Sequence, residues 1–457
     1  MENTVVKIAE AVSARGGRAY LVGGCVRDRL MHRPQKDTDI EVHGITQEEL
    51  YSILESFGKP MTYGSSFGII SLPGLDLDIA LPRRERANSD GGHRGFDIDI
   101  DPYIGTEAAS RRRDFTVNAL MEDVLTGEIT DHFGGLRDME DRVLRHVDDF
   151  SFPEDPLRVY RAAQFASRLG FSIAPETVSL CSGIDTSTLS PERVEAELRK
   201  ALLEGVKPSV FFTSLADMGQ LDTWFREIGM MRGVEQDPRF HPEGDVFVHS
   251  MQVLDRAAAY RDRVTDPYAF MLLALTHDIG KIVATETVKG RIHAYGHEVL
   301  GEPLLRDLLD RIVSKNSVKQ YVLNMVPLHM KPNVAAFNRV SLKSTNHMFD
   351  DAAAPEDLIY MAMSDRPVFS GDTPFTGDSD FLFERLAAYR QIQAMPEVTG
   401  RDLIDSGLEP GGDFSELLSF SHKLKLAGIE HGSALKQTLA YARKLRGRSG
   451  DRRKDDK

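Results

Sequence analysis

The chain has 457 residues, enough for two to four domains, and its 41% hydrophobic and 28% charged residues are the balance of an ordinary soluble globular protein. No apolar run reaches the roughly 18 residues of a membrane span, and Met1-Glu2-Asn3-Thr4 lacks a signal peptide's basic start and apolar core, so neither a membrane partner nor export is expected. A net charge of −14 argues against indiscriminate nucleic-acid binding.

Arginines nevertheless gather locally, at Arg83, Arg84 and Arg86, at Arg111, Arg112 and Arg113, and at Arg158 and Arg161; a basic run follows from Lys436. An acidic chain with such clusters suits one chosen polyanion. Cys25 and Cys181 are the two cysteines and fit a reducing cytoplasm.

In chain order, Ala19–Val22 reads as a strand, Gly23-Gly24 as a turn, and the residues around Arg27 as a helix start. A second strand carries Asp37 and Asp39. Paired glycines let backbone N–H groups approach phosphates. Two aspartates two apart in a strand face the same way, about 7 Å along the chain, and such carboxylates can share Mg²⁺ ions that also hold a triphosphate. Either element alone reads as a plain turn or a solvated strand edge; together they point to nucleotidyl transfer.

Phe67–Leu72 and Leu77–Leu81 flank Pro73-Gly74 and read as a hairpin, with Asp76 and Asp78 on one face. Asp78 is the candidate third catalytic carboxylate. Glu85–Gly95 reads as a mobile polar loop. Arg111-Arg112-Arg113-Asp114-Phe115-Thr116-Val117-Asn118 offers arginines for a triphosphate and an Asp/Asn pair for ribose hydroxyls; a helix capped by Asp114 is the competing reading.

From about Glu154 the apolar spacing becomes helical, over Asp155–Leu169, Pro191–Leu203 and Val246–Tyr260. Asp155 and Arg158, read at i and i+3 on one helix, match the amine and adjacent ring acceptor shared by cytosine and adenine. Guanine and uracil reverse that pattern, leaving polar groups unpaired at roughly 1–3 kcal/mol each. A simple i,i+3 salt bridge is the alternative.

These stretches resemble, in order, the motifs of the class II tRNA nucleotidyltransferase and poly(A) polymerase family: Gly23-Gly24-Cys25-Val26-Arg27-Asp28, Asp37-Thr38-Asp39, Arg112-Arg113-Asp114-Phe115-Thr116-Val117-Asn118-Ala119, Asp131–Arg145, Glu154–Arg161 and Ser190–Leu198. The resemblance implies an α+β fold: a nucleotidyltransferase head built of a β-sheet with helices, then an all-α neck, HD domain and tail. It implies catalysis by Asp37, Asp39 and Asp78 with Mg²⁺ on Asp37 and Asp39. Nucleotide binding would fall to Gly23, Gly24, Arg27, Arg112, Arg113, Asp114, Asp155, Arg158 and Arg161. Gln164 stands where the family usually has arginine. The intact loop between Arg83 and Gly95 is of the kind linked with adding all of C, C and A, and Ser190 would act as a cap while Glu192 and Arg193 brace the nucleotide helix.

Further on, His249, His277-Asp278-Ile279-Gly280-Lys281 and Asp365 resemble the ligand set of HD metal phosphohydrolases; His241, His293, His297 and His329 lie nearby in sequence. A His-Asp pair alone reads as a capped helix end. The full set implies a transition metal (Mn, Ni, Co, Fe or Zn) that activates water. The expected organisation is a head over 1–145, a neck over 146–235, an HD domain over 236–370, a tRNA-handling tail over 371–445 and a disordered end over 446–457.

The expected activity is addition of CCA to tRNA from CTP and ATP, with a second phosphohydrolase activity, in the cytoplasm and with no stable protein partner. A-adding, CC-adding or poly(A) siblings share every motif used. A phosphohydrolase with a nucleotide-sensing head is a more distant alternative.

Overall fold

The computed structural model describes residues 2–34, 38–63, 69–72, 77–87, 96–366 and 376–452. Asp37, Asp76 and the loop residues 88–95 lie outside them. Two compact units divide between Thr223 and Trp224. The boundaries expected at 145, 235 and 370 are finer than this division.

The first unit is built on a seven-stranded sheet. Helix α1 (Glu2–Ser13) leads into strand β1 (Arg18–Val22), then α2 (Gly24–Leu30), β2 (Thr38–His43), α3 (Gln47–Glu55), β3 (Met61–Tyr63), β4 (Ile69–Ser71) and β5 (Leu77–Ala80). Strands β6 (Arg83–Ala87) and β7 (Phe96–Ile100), helix α4 (Thr106–Arg111), and strands β8 (Met121–Asp123) and β9 (Ile129–Thr130) follow. The sheet order is β3-β4-β5-β2-β1-β8-β9.

Alternation on β2 sorts its side chains: Ile40 and Val42 join the core with Ile8 and Val12 of α1 and Leu50 and Leu54 of α3. Asp39, Glu41 and His43 therefore take the opposite face. Strand β5 runs antiparallel to β4, as the hairpin reading requires, and parallel to β2 with Asp78 directly opposite Asp39.

Two local expectations change. Glu85–Ala87 is strand, not loop: β6 pairs antiparallel with β7 as a separate ribbon, which its run of charged residues disguised. Asp155 is not helical. It stands extended (φ −116°, ψ 101°) before Pro156, and the helix begins at Leu157. Proline disfavours the helical region for the residue before it, which sets this boundary. The helices that complete the unit's described site are α5 (Gly135–Glu140), α6 (Leu157–Leu169), α7 (Pro175–Ser182) and α8 (Pro191–Glu204).

Among its described residues the second unit is helical apart from one short hairpin, Glu286–Val288 with Arg291–His293. Pro267–Thr276 is apolar all round and buried from Tyr268 onward, so it forms the unit's central helix. The helices Val246–Ala257 and Pro355–Asp365 pack on it. The helical spacing read to Tyr260 ends at Ala257 and continues as a 3-10 turn. The last helix, His431–Arg452, enters the stretch expected to be disordered. No described helix is long and apolar enough to cross a membrane.

Candidate functional sites

In the first unit β1 delivers the chain into Gly23, whose φ of 72° favours glycine. A Cβ there would lie 2.9 Å from Nη1 of Arg113 and 4.0 Å from Oδ2 of Asp39, so the missing side chain leaves room for the Arg113 guanidinium close against the turn. This turn opens on a cavity of about 410 Å³. Gly23, Gly24, Arg27 and Asp39 line it, together with Arg113, Asp114 and Arg161. Seven of the expected residues are thus gathered in one place.

Their hydrogen bonds show which are free to act. Arg27 is 2% exposed and donates to Asn118 Oδ1 (2.5 Å) and Asp28 Oδ1 (2.8 and 2.9 Å), while burial pulls its pKa down. Asp114 accepts from Arg161 (2.6 and 2.8 Å), Asn118 (2.9 Å) and the Phe115 N–H (2.8 Å). Burial opposes its charge, but Arg161 and Asn118 hold the carboxyl below its usual range. Asp114 therefore organises the cavity floor. Asp78 is exposed and accepts from Ser71 Oγ.

Arg112, Asp155 and Arg158 do not line this cavity. Asp155 accepts from Arg193 (2.9 and 3.0 Å) and from the Leu157 N–H (3.1 Å). Arg158 donates to the carbonyls of Ser151 (2.7 Å) and Arg112 (2.6 Å). Their link is through the backbone, the Arg158 N–H donating to the Asp155 carbonyl (3.0 Å), and their side chains take the other partners just named, so neither the i,i+3 salt bridge nor a shared helical face describes them. The expected brace through Arg193 is present, whereas Ser190 stands at the start of α8 without a side-chain capping hydrogen bond. Gln164 is 1% exposed, and its Nε2 makes no hydrogen bond among the described residues. Arg168, one turn further along α6, lines the cavity.

Glu41 was missed by the sequence reading, although Asp37, Asp39 and Glu41 continue one alternation. It is 2% exposed. Its Oε2 stands 3.5 Å from Arg113 and 4.0 Å from Arg112, and its Oε1 is 3.0 Å from His43 Nε2. Burial would raise its pKa; His43 and Arg113 bring it below normal. A fixed anion thus holds Arg113 from behind.

The second unit carries a buried cluster. Asp245 caps the helix Val246–Ala257 by accepting from the Val248 N–H (2.9 Å), which sets His249 in its first turn. His277 and Asp278 leave the end of the central helix, and Asp365 ends Pro355–Asp365. His249 Nε2 is 3.0 Å from Asp365 Oδ1 and 3.6 Å from Asp278 Oδ2. His277 Nε2 is 3.2 Å from Asp278 Oδ2 and 3.4 Å from Asp365 Oδ1. All four expected ligands therefore converge.

Gly280 explains its own place in the motif. A Cβ there would sit 1.8 Å from the carbonyl oxygen of His297, so only glycine lets that segment close on Asp278. The approach adds two residues to which the sequence reading gave no role. His297 Nε2 is 3.1 Å and His329 Nε2 3.7 Å from Asp278 Oδ1. No local spacing announces them. His293 stacks on Tyr295 (4.8 Å) and lines an adjoining cavity of about 460 Å³, apart from the cluster.

The electrostatics fit cation binding. Burial opposes charge on His277, yet Asp278 and Asp365 raise its pKa to about 10. Burial would lift both carboxyls, but Lys281 and His277 hold Asp278, and His249 and His277 hold Asp365, well below normal. Burial lowers His329 to about 4. His277 Nε2 is buried without a well-formed hydrogen bond among the described residues, as a metal-ligand atom would be. Three-ligand groups that could hold an ion are His249, His277 and Asp365; Asp278, His297 and His329; and His241, Glu243 and His249.

Comparison with known proteins agrees with both centres. Residues 19–145 match the Poly A polymerase head domain, and residues 246–366 match the HD domain. The chain is 34% identical over 432 residues to a multifunctional CCA protein of Xanthomonas campestris, covering 92% of this chain and all of that one. The corresponding protein of Actinobacillus pleuropneumoniae is 37% identical over 317 residues, covering 68% and 74% of the two chains. In fold, the chain is similar to the Thermotoga maritima CCA-adding enzyme complexed with tRNA, with a TM-score of 0.64 at 20% identity over 96% and 95% of the chains.

Proposed function

Because this chain belongs to the multifunctional CCA protein family, we propose that it adds C, C and A to the 3′ end of tRNA from CTP and ATP, releasing pyrophosphate. The observation that carries this reading is the cavity at Gly23, lined by Arg113 and Asp39, with Asp78 paired opposite Asp39 on the neighbouring strand though not lining the cavity itself. Asp39 and Asp78, with Asp37 next along the chain, offer the hard oxygen donors that Mg²⁺ prefers. Bound there, Mg²⁺ would ease loss of the 3′-hydroxyl proton and offset charge on the leaving pyrophosphate.

The chain's own residues do the positioning. Arg113, held by Glu41, presents its guanidinium to the triphosphate, and Arg161 reaches the same cavity while fixed by Asp114. Asp155 and Arg158 remain the proposed readers of C and A. To read a base they exchange Arg193, Ser151 and Arg112 for the base edge, so base reading is coupled to loosening of the segment around Asp155. The buried Cys25 and Cys181, both thiols and not disulfide-bonded, support a cytoplasmic setting.

The second unit is proposed to be a metal-dependent phosphohydrolase. His249, His277, Asp278 and Asp365 would hold a transition metal whose bound water is acidic enough to attack a phosphoester. Lys281 Nζ, 2.7 Å from Asp278 Oδ2, adds a positive charge beside them.

The test is incubation with tRNA lacking its 3′ end and one labelled nucleotide at a time. CMP should be added first and AMP only onto a CC end. Direct AMP addition to the trimmed end, or a run of AMP, would assign the chain to a sibling activity instead.

A further inference from the structure

Resting on the reading of the first unit as a nucleotidyltransferase acting on RNA, we propose that Phe150 is the platform on which the last unpaired base of the RNA being extended stacks. Phe150 is 89% exposed, more than any other large apolar side chain among the described residues. A single exposed apolar residue is common on protein surfaces. This one differs in the stiffness of the turn that carries it. Asp148 Oδ1 accepts from the N–H groups of Phe150 (3.1 Å) and Ser151 (2.9 Å), and Arg111 reaches Asp148 Oδ2 (3.5 Å). His146 Nε2 lies 2.6 Å from Asp149 Oδ1. Phe152, two residues on, is fully buried against Phe115, with ring centroids 5.6 Å apart. A ring at the tip of a loose loop can fold back out of water, whereas this backbone holds Phe150 out. The fold itself gains nothing from that, because apolar surface in water is unfavourable.

The same turn is tied to the proposed base reader. Arg158 donates to the carbonyls of Ser151 (2.7 Å) and Arg112 (2.6 Å), and Ser151 Oγ donates to the Arg111 carbonyl (3.2 Å). Arg113, the next residue of that run, lines the cavity at Gly23. Phe150 thus stands beside the segment that leads into the cavity, on the side of Arg158. The half-exposed Arg111 lies over the Phe133 ring (5.4 Å), placing a cation and a second aromatic ring on the same segment. The carboxylates of the turn already have partners, Asp148 in Arg111 and Asp149 in His146.

The proposed reaction makes two unlike demands on base recognition. An incoming nucleotide must be chosen, which takes directional hydrogen bonds such as Asp155 and Arg158 can offer. The base at the growing end changes from one addition to the next, and must be held whatever its identity. Every base has a π-face, so one aromatic ring can hold each of them in turn. Phe150 carries no hydrogen-bonding group in its side chain and therefore holds without selecting. Exposed aromatic rings with nearby arginines are how unpaired RNA bases are commonly bound.

The test compares trimmed tRNA carrying its ordinary 3′-terminal base with the same tRNA ending in an abasic nucleotide. Wild type, Phe150→Ala and Phe150→Trp are compared by fluorescence anisotropy of 5′-labelled tRNA, which reads binding independently of turnover. Phe150→Ala should weaken binding of the ordinary end about tenfold, within the range for a base stacked on an aromatic ring. The abasic end should bind the wild type about as weakly, and the substitution should then make no further difference. Phe150→Trp should bind the ordinary end at least as tightly as the wild type, with KM for CTP unmoved in both variants. Equal binding of the ordinary end by wild type and Phe150→Ala, or the same loss on both ends, would overturn the platform. The expected binding pattern in a wild type that adds neither C nor A would overturn the proposed activity and leave the platform standing.

Discussion

The two centres solve the problem of placing charge in opposite ways. In the first unit Asp39 and Asp78 sit side by side on two inner strands of the sheet, on a face open to solvent, and the cations near them are restrained from behind, Arg113 by Glu41 and Arg161 by Asp114. In the second unit His249, His277, Asp278 and His329 are nearly fully buried, and they approach one another directly. An open oxygen site can exchange a nucleotide and its ions at every turnover. A buried imidazole site keeps its ion and becomes part of the fold. The contrast gives different sensitivities to mutation, pH and chelation.

The largest expected effect is at Asp39. Asp39→Ala should cut nucleotide addition by about a thousandfold, the several kcal/mol that metal-ion charge stabilisation supplies, with little change in melting temperature. A steady-state assay on trimmed tRNA and a thermal melt check both parts.

Glu41→Gln should act next most strongly. It removes the anion behind Arg113 without changing shape, so KM for CTP and ATP should rise together by about thirtyfold, about 2 kcal/mol and within the roughly 1.5–3 kcal/mol of a charged hydrogen bond. A fall in kcat alone would make Glu41 part of the reacting group.

A pH series separates the units further. His277 has its folded pKa raised to about 10. Its contribution to stability is therefore fully present below the unfolded histidine value and lost as pH rises through about 10. In chelator-treated protein the second unit should become easier to unfold across that window, followed by circular dichroism. Reloading the metal should abolish the trend, because a ligated imidazole no longer titrates there.

The smallest effect is at Arg193. Its ion pair with Asp155 is about half exposed, so Arg193→Ala should cost less than about 1 kcal/mol. Freed of this partner, Asp155 should admit wrong nucleotides a few times more often. Single-nucleotide incorporation measures it.

What the sequence disclosed follows from how far apart the cooperating residues lie. The head cavity was legible because Gly23, Gly24 and Arg27 are adjacent and because alternation on β2 announces itself. The same alternation pointed to Glu41, one step beyond where the reading stopped. Asp155 was misplaced by extending a helical spacing across Pro156, although a residue before proline is biased toward extended backbone. His297 and His329 were not legible: His297 meets Asp278 because Gly280 lets two backbones touch, and His329 arrives from a separate, later turn of the chain. The Glu85–Ala87 strand was hidden by charged residues that usually mark loops.

The central claim is that one chain carries two chemically independent centres. Assaying Asp39→Ala and His277→Ala side by side, for extension of trimmed tRNA and for Mn²⁺-dependent hydrolysis of a 2′,3′-cyclic nucleotide or p-nitrophenyl phosphate, tests it directly. Asp39→Ala should lose extension and keep hydrolysis, while His277→Ala should lose hydrolysis and keep extension. Loss of both activities in either folded variant, or no hydrolysis by the wild type with any added metal, would contradict the account.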